Sequence, residues 1–312
     1  MPLDYPVNVL VSFHYFEKSD IADMASWGLR IIGDSGAYSA DSQGAAIDRD
    51  EFYAWADRWR AALCWTASLD VIGDPDKSWA NFITAPPSLN LIPTIHYGCD
   101  PRELDRYVEA GADFIGLGGM VGFKSEPDRL LRWCLSVMRY AAKTHPNLRF
   151  HGWGITHPKL LTNLPWYSVD SSGFSAAYRY GRLSLFDPDI KKHRVVALNG
   201  TDIADVDIAR LLRKHYSIGW ERIKDSGSHN RRDVTRVAMR SVQLNERYLG
   251  SRHRVSPPSS LVDQKAGSNV HMALGFPNAQ PARALDPTDQ GTKIWGAMAS
   301  LPHINDLGRS NA

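Results

Sequence analysis

Two segments of this chain end an apolar run on an aspartate and follow it with small residues. They are Arg30-Ile-Ile-Gly-Asp-Ser-Gly-Ala-Tyr-Ser39 and Tyr167-Ser-Val-Asp-Ser-Ser-Gly-Phe174. A carboxylate at the end of a rigid strand can serve as a nucleophile or as a general acid or base. If both runs are parallel strands of one α/β barrel, their carboxyl ends share a rim. Asp34 and Asp170 would then address one substrate. Ser35 and the glycine after it let a flat ligand approach the backbone, and Tyr38 offers a ring to stack on it. The same Asp-Ser-Gly pattern is also an ordinary turn.

Other chemistry-bearing residues lie between these two. Asp70, in Ser68-Leu-Asp-Val-Ile-Gly-Asp74, falls within a strand-like pattern, where a carboxylate is a ligand contact or is paired with a buried donor. Asp74, just before Pro75, reads as a helix N-cap. His96 and Tyr97 close the run Ile92-Pro-Thr-Ile-His-Tyr-Gly98, and one of them should face the site. In Gly116-Leu-Gly-Gly-Met-Val-Gly122, the backbone of Gly118, Gly119 and Met120 is open to hydrogen bonding by a ligand. That run lacks the spacing of a dinucleotide fingerprint. His151 stands beside the glycines of Phe150-His-Gly-Trp-Gly-Ile-Thr156. Arg179 and Arg182, downstream of Asp170, suit a phosphate-bearing substrate, with a salt-bridged loop as the alternative.

The elements that position these residues alternate. Strand-like runs cover Val7–Phe13, Arg30–Gly33, Ala67–Ile72, Leu91–Tyr97, Phe114–Gly118, Arg149–Ile155 and Ser168–Asp170. Helical patterns separate them at Asp48–Ala61, Pro101–Gly111 and Glu126–Thr144. Such alternation predicts an α/β fold with a parallel sheet, and the Gly- and Asp-bearing loops after each strand favour a TIM-type (β/α)8 barrel, complete or irregular. An eighth strand would fall in Met1–Pro6 or Arg194–Leu198. The barrel is expected over 1–200, a basic helical appendage over 201–250, and an irregular or partly disordered tail over 251–312. Within that tail Lys293–Leu301 is apolar enough to dock. Residues 205–254 carry twelve basic and six acidic side chains, a local excess of positive charge, which fits either a nucleic-acid contact or a solvated helical face.

The 312 residues carry a net charge of only +2, so total charge argues for no polyanionic partner. Cys64, Cys99 and Cys134 form no C-x-x-C pair; they read as reduced thiols of a cytoplasmic protein and not as a zinc site. No run is long enough to span a bilayer, and no signal peptide is expected.

Taken in order, D-S-G-x-Y, S-x-D, x-Y-G, G-L-G-G-M-V-G, H-G-W-G-I-T-H-P and V-D-S-S resemble the motif series of the tRNA-guanine transglycosylase superfamily, across about residues 8–182. The resemblance implies a TIM barrel in which Asp170 attacks the sugar and Asp34 handles the proton of the base. It implies that Tyr38 and Ser35 line the base pocket with His96, Tyr97, Gly118, Gly119, Met120 and His151. Asp70 would bond a guanine-type edge, and Arg179 and Arg182 would hold the nucleic-acid backbone. The cysteine-rich zinc site of the tRNA enzymes is missing, Ile72 replaces a base-pocket cysteine, and P-T-R does not follow Asp170. The chain is therefore more similar to the zinc-lacking, often phage-encoded branch that inserts 7-deazaguanine derivatives into DNA.

That resemblance implies an enzyme that exchanges guanine in nucleic acid, DNA ahead of tRNA, for a free 7-deazaguanine such as preQ0, with no metal or redox cofactor and no membrane partner. A second copy of the chain is a further candidate partner. In a phage-encoded relative the compartment would be the host cytoplasm. Two other classes fit the bare residues. A two-carboxylate glycoside hydrolase or nucleosidase would use the same aspartates, and a non-catalytic barrel would bind through its basic helices.

Overall fold

The computed structural model describes residues 7–171, 173, 177, 180–198, 206–224, 230–264 and 271–275; for Asp41, 262–264 and 271–275 only the backbone is described. Among them, β1 (Val7–Ser12), β2 (Leu29–Asp34), β3 (Leu63–Ala67), β4 (Leu91–Ile92), β5 (Thr94–His96), β6 (Phe114–Gly118), β7 (Arg149–Gly152) and β8 (Ser168–Ser171) follow one another with helices between most of them. A hairpin, β9 (Arg182–Asp187) and β10 (Lys192–Ala197), and a last strand, β11 (His271–Gly275), follow. The fold is α/β, with one parallel sheet in the order β4-β3-β2-β1-β11-β8-β7-β6-β5.

β4 and β5 stand at opposite ends of that order, yet only Pro93 separates them in the chain. Ile92 O accepts from Ser68 N beside β3, and Pro93 O accepts from Gly116 N of β6, both at 2.8 Å. Proline has no N–H to add to a ladder, which divides one extended run into two short strands.

Alternation along each strand sorts the side chains by face. Val7, Val9, Val11 and Ile31 pack with Phe52, Trp55 and other helix residues. Leu10 and Ile32 instead join Trp65, Ile92, Phe114 and Tyr167 in a separate cluster on the opposite face. Ile95, Ile115, Leu117, Phe150 and Val169 are helix-side residues of the later strands. Their neighbours Thr94, His96, Gly116, Gly118, His151, Ser168 and Asp170 fall on the face of Leu10, Ile32 and Asp34. The polar residues singled out in the sequence therefore gather on one face because period-two patterning puts them there.

Several expectations need correction. Of the two places proposed for an eighth strand, Met1–Pro6 lies outside the described residues, and Arg194–Leu198 falls largely in β10, which pairs antiparallel with β9. The strand between β1 and β8 is β11, in register Val9↔Leu274 and Val169↔Met272. The segment expected as an irregular tail thus supplies a strand of the main sheet. The Lys293–Leu301 segment lies outside the described residues. The basic Arg231–His253 helix buries Val234, Val237 and Met239 in the same cluster as Val9 and Ile31. Ser241 Oγ on this helix accepts from Phe186 N of β9 at 2.7 Å. The third strand is Leu63–Ala67 and shares only Ala67 with the expected Ala67–Ile72, so Asp70 sits on the loop beyond it. No helix among the described residues is long and apolar enough to cross a membrane.

Candidate functional site

Asp34 closes β2, and the chain turns sharply after it. Its Oδ2 accepts from Gly36 N at 3.0 Å. Gly36 has φ +78°, and a Cβ there would stand 2.1 Å from Ser12 Oγ at the end of β1. Only glycine allows both the positive φ and this approach. Ser35 is fully buried under the turn, and its Oγ accepts from Ala37 N at 3.2 Å; this holds the turn rather than presenting the hydroxyl to a ligand. Burial, followed by the negative charges of Asp70 and Asp170, raises the Asp34 pKa to about 7, while N–H donors of Gly36 and Ser35 pull the other way. The two other carboxylates are therefore near enough to act on Asp34 electrostatically.

The loop carrying Asp70 is tied to two helices. Tyr53 donates to Asn81 O at 2.9 Å, Asn81 Nδ2 donates to Leu69 O at 3.1 Å, and Val71 N donates to Ser78 Oγ at 2.8 Å. These bonds tie Leu69 and Val71 to the helices beyond the last ladder contact at Ser68, which accounts for where β3 ends. Asp70 Oδ2 lies 2.7 Å from His96 Nε2. His96 thus faces the site, as one of the pair was expected to do. Tyr97 turns away and packs on Phe123 and Trp133, at ring separations of 4.7 and 5.4 Å, with Arg129 over its ring. Asp74 caps the Pro75–Ile83 helix by accepting from Lys77 N, as its sequence context predicts.

Asp170 is the most closely held of the three. Its Oδ1 accepts from Gly154 N at 2.7 Å and lies 3.3 Å from His151 Nε2. The other face of that imidazole, Nδ1, lies 2.7 Å from Ser168 Oγ. His151 is completely buried between Trp153 and Trp65, with ring separations of 4.2 and 5.0 Å, and burial holds its pKa below the usual histidine value despite the neighbouring carboxylate. It stands behind Asp170 and has no surface to offer a base. No protein donor meets Asp170 Oδ2 among the described residues.

The glycines of β6 serve a different purpose from the one expected. A Cβ on Gly116 would lie 2.1 Å from Trp153 Nε1, and one on Gly118 3.2 Å from Trp153 Cδ1. The indole fills their space, and its Nε1 donates to Thr94 Oγ1 at 3.0 Å. Gly118 O accepts from Tyr97 N at 2.9 Å. Met120 is buried, with its sulfur against Cys134. Gly119 has φ +70° and lies against His96. Tyr38 is 56% exposed and free to stack. Arg182 is exposed at the start of β9, beside a cavity of about 160 Å³ that Ser171, His193 and Asn245 also line. Arg179 lies outside the described residues. Among the described residues, no group of three histidine, cysteine or acidic side chains could hold a metal ion.

Trp153, Trp65 and Thr94 were not among the residues singled out from the sequence. The signal for Trp153 was available: two alternating glycines on one strand leave a slot that a large side chain at the end of the neighbouring strand can enter. The three carboxylates differ in their donors, a turn N–H for Asp34, an imidazole for Asp70, and an N–H plus a buried imidazole for Asp170. Such unequal environments separate acid from base among chemically identical groups.

No protein-family model matches the chain, and no curated protein matches it. A solved structure described as 4-hydroxy-2-oxoglutarate aldolase/2-deydro-3-deoxyphosphogluconate aldolase from TTHB1 aligns over 54% of this chain and 71% of its own, at 15% identity and a TM-score of 0.32. That likeness is too slight to bear on function.

Proposed function

We propose that the chain is a base-exchanging transglycosylase built on a TIM-type (β/α)8 barrel. The continuity of β4 and β5 through Pro93 supports closure, since one extended run meets β3 on one side and β6 on the other. The observation that carries the reaction is the pairing of an acid–base group with a nucleophile. Asp34 has a pKa of about 7, so it can both give and take a proton near neutrality. Asp170 is fixed through Oδ1, and among the described residues no protein donor meets its Oδ2.

In the proposed reaction a target guanine is extruded from its stack, at a cost of a few kcal/mol. Asp170 Oδ2 forms a bond to C1′ as the glycosidic bond breaks. The departing ring nitrogen keeps the bonding electrons and receives the Asp34 proton. An incoming 7-deazaguanine gives its ring N–H proton to the Asp34 carboxylate, and its nitrogen displaces Asp170 from C1′. Asp70, oriented by His96, reads the edge of the base, and Tyr38 stacks on it. The site itself requires no metal for these steps. DNA is the preferred acceptor, with positive charge on the 205–254 segment making binding fall steeply with salt.

Incubation with labelled guanine or preQ0 and either duplex DNA or tRNA tests this reading. Incorporation into DNA is the expected result. Incorporation into tRNA alone overturns the choice of acceptor, and guanine release without incorporation identifies a hydrolase.

A further inference from the structure

We propose that His151 is a positioning residue for Asp170: held as the neutral Nε2–H tautomer by the Ser168 hydroxyl, it fixes Oδ1 and leaves Oδ2 as the attacking oxygen. The base-pocket role implied by the sequence does not fit a side chain with no exposed surface. Its environment points to a different task. Ser168 and Asp170 are alternate residues of β8 and fall on one face; His151 belongs to β7, where it pairs with Ser168 in the ladder. The imidazole therefore touches Ser168 through Nδ1 at 2.7 Å and Asp170 through Nε2 at 3.3 Å.

These contacts determine where the proton sits. A carboxylate can only accept, so the nitrogen facing Asp170 must carry the hydrogen. Nδ1 is then the acceptor, and the Ser168 O–H donates to it. An imidazolium is disfavoured because Trp65, Trp153 and Phe114 surround the ring and desolvate it. The partner fixing one nitrogen thereby sets the function of the other, as in buried histidines generally.

The consequence for reactivity is geometric. Gly154 N and His151 Nε2 converge on the same oxygen, Oδ1. Two donors on one oxygen lock the carboxylate rotamer and stabilise its anionic form. Oδ2 keeps its lone pairs for the sugar. Trp153 contributes by closing one side of the ring, and Gly116 and Gly118 make room for that indole. The nucleophile is thus oriented through a chain that runs from β8 to β7 and back to β8.

The tautomer and the hydrogen bond stand on geometry alone; the kinetic role rests on the transglycosylase reading. The test has an arm for each. In ¹⁵N-histidine-labelled protein, the His151 signal is identified by its loss in His151→Gln. The expected result is a protonated Nε2 and an unprotonated Nδ1, unchanged from pH 8 to pH 5.5. An Nδ1–H tautomer or an imidazolium at pH 7 overturns the proposal, whatever reaction the protein performs. For the kinetic arm, His151→Met removes the donor and His151→Gln restores one. A lost hydrogen bond to a charged group predicts a fall in kcat of about 10–100-fold in His151→Met, with KM for the base within about threefold and partial recovery in His151→Gln. Equal loss in both variants when both keep the wild-type melting temperature, or a loss confined to KM, refutes the positioning role. Wild-type protein with no exchange activity removes the transglycosylase reading, and the tautomer arm then decides the proposal alone.

Discussion

Replacing Asp34 by asparagine should stabilise the protein by an amount that grows from about pH 4 to pH 7 and is complete above neutrality. An unfolded aspartate titrates near 3.9, whereas burial and the charges of Asp70 and Asp170 raise Asp34 in the folded protein to about 7. Between those values the folded state holds a proton that the unfolded state has released. Stability therefore declines as pH rises through that window, by about 1.36 kcal/mol per pH unit, and is flat again above it. The full decline is about 4 kcal/mol, and water reaching a half-buried carboxyl reduces it to about 2–4 kcal/mol. Asparagine keeps an oxygen for Gly36 N and carries no charge. At pH 8 the variant should be more stable by that amount, with a melting temperature about 5–10 °C higher. At pH 4 the two proteins should agree within about 1 kcal/mol. Urea unfolding at both pH values measures the difference. An Asp34→Asn variant that gains nothing at pH 8, or gains equally at pH 4, refutes the claim that Asp34 is strained by its surroundings. Lost exchange activity together with higher stability would mark the usual trade between function and stability.

Other outcomes follow from the packing around the site. Gly116→Ala drives a methyl into the Trp153 indole, and overpacking plus a weakened bond to Thr94 should cost about 2–4 kcal/mol in urea unfolding. Gly122→Ala meets nothing within 4 Å and should stay within about 1 kcal/mol of wild type, which serves as the control. Tyr38→Ala removes an exposed ring; stability should change by about 0.5 kcal/mol or less, while KM for the incoming base rises, as steady-state kinetics would show. Tyr97→Ala should do the reverse, since its ring is packed on Phe123 and Trp133 away from the carboxylates.

Much of the sheet could be read directly because buried parallel strands are apolar runs with sharp ends. Phe114–Gly118 matches the expected strand at both ends, and Asp34 and Asp170 lie at or next to strand ends, as expected. Three features resisted. β11 is hidden in a segment rich in Ser, Gly, Asn and Pro, where only the short run His271–Gly275 is strand-like. The boundary of β3 depends on Tyr53, Asn81 and Ser78, which sit on helices and leave no local trace in Ser68-Leu-Asp70. The glycines of β6 look the same whether they face a ligand or an indole, and only the fold shows Trp153 in their slot. For the site, the residue types were legible and their orientations less so. His96 and Tyr97 were an undecided pair until strand alternation sent one to Asp70 and the other to the helices. His151 was visible as a candidate, but its burial behind Asp170 was not.

The central claim is that Asp170 forms a covalent bond to the sugar during base exchange. Mixing the protein with its nucleic-acid acceptor, quenching in denaturant and resolving the products by denaturing electrophoresis tests it most directly. Wild-type protein should give a cross-linked species that maps to Asp170 by peptide mass analysis and disappears when free base is added in excess. Asp170→Asn should give none. An adduct of equal yield in that variant, or one mapping to another residue, would contradict the account.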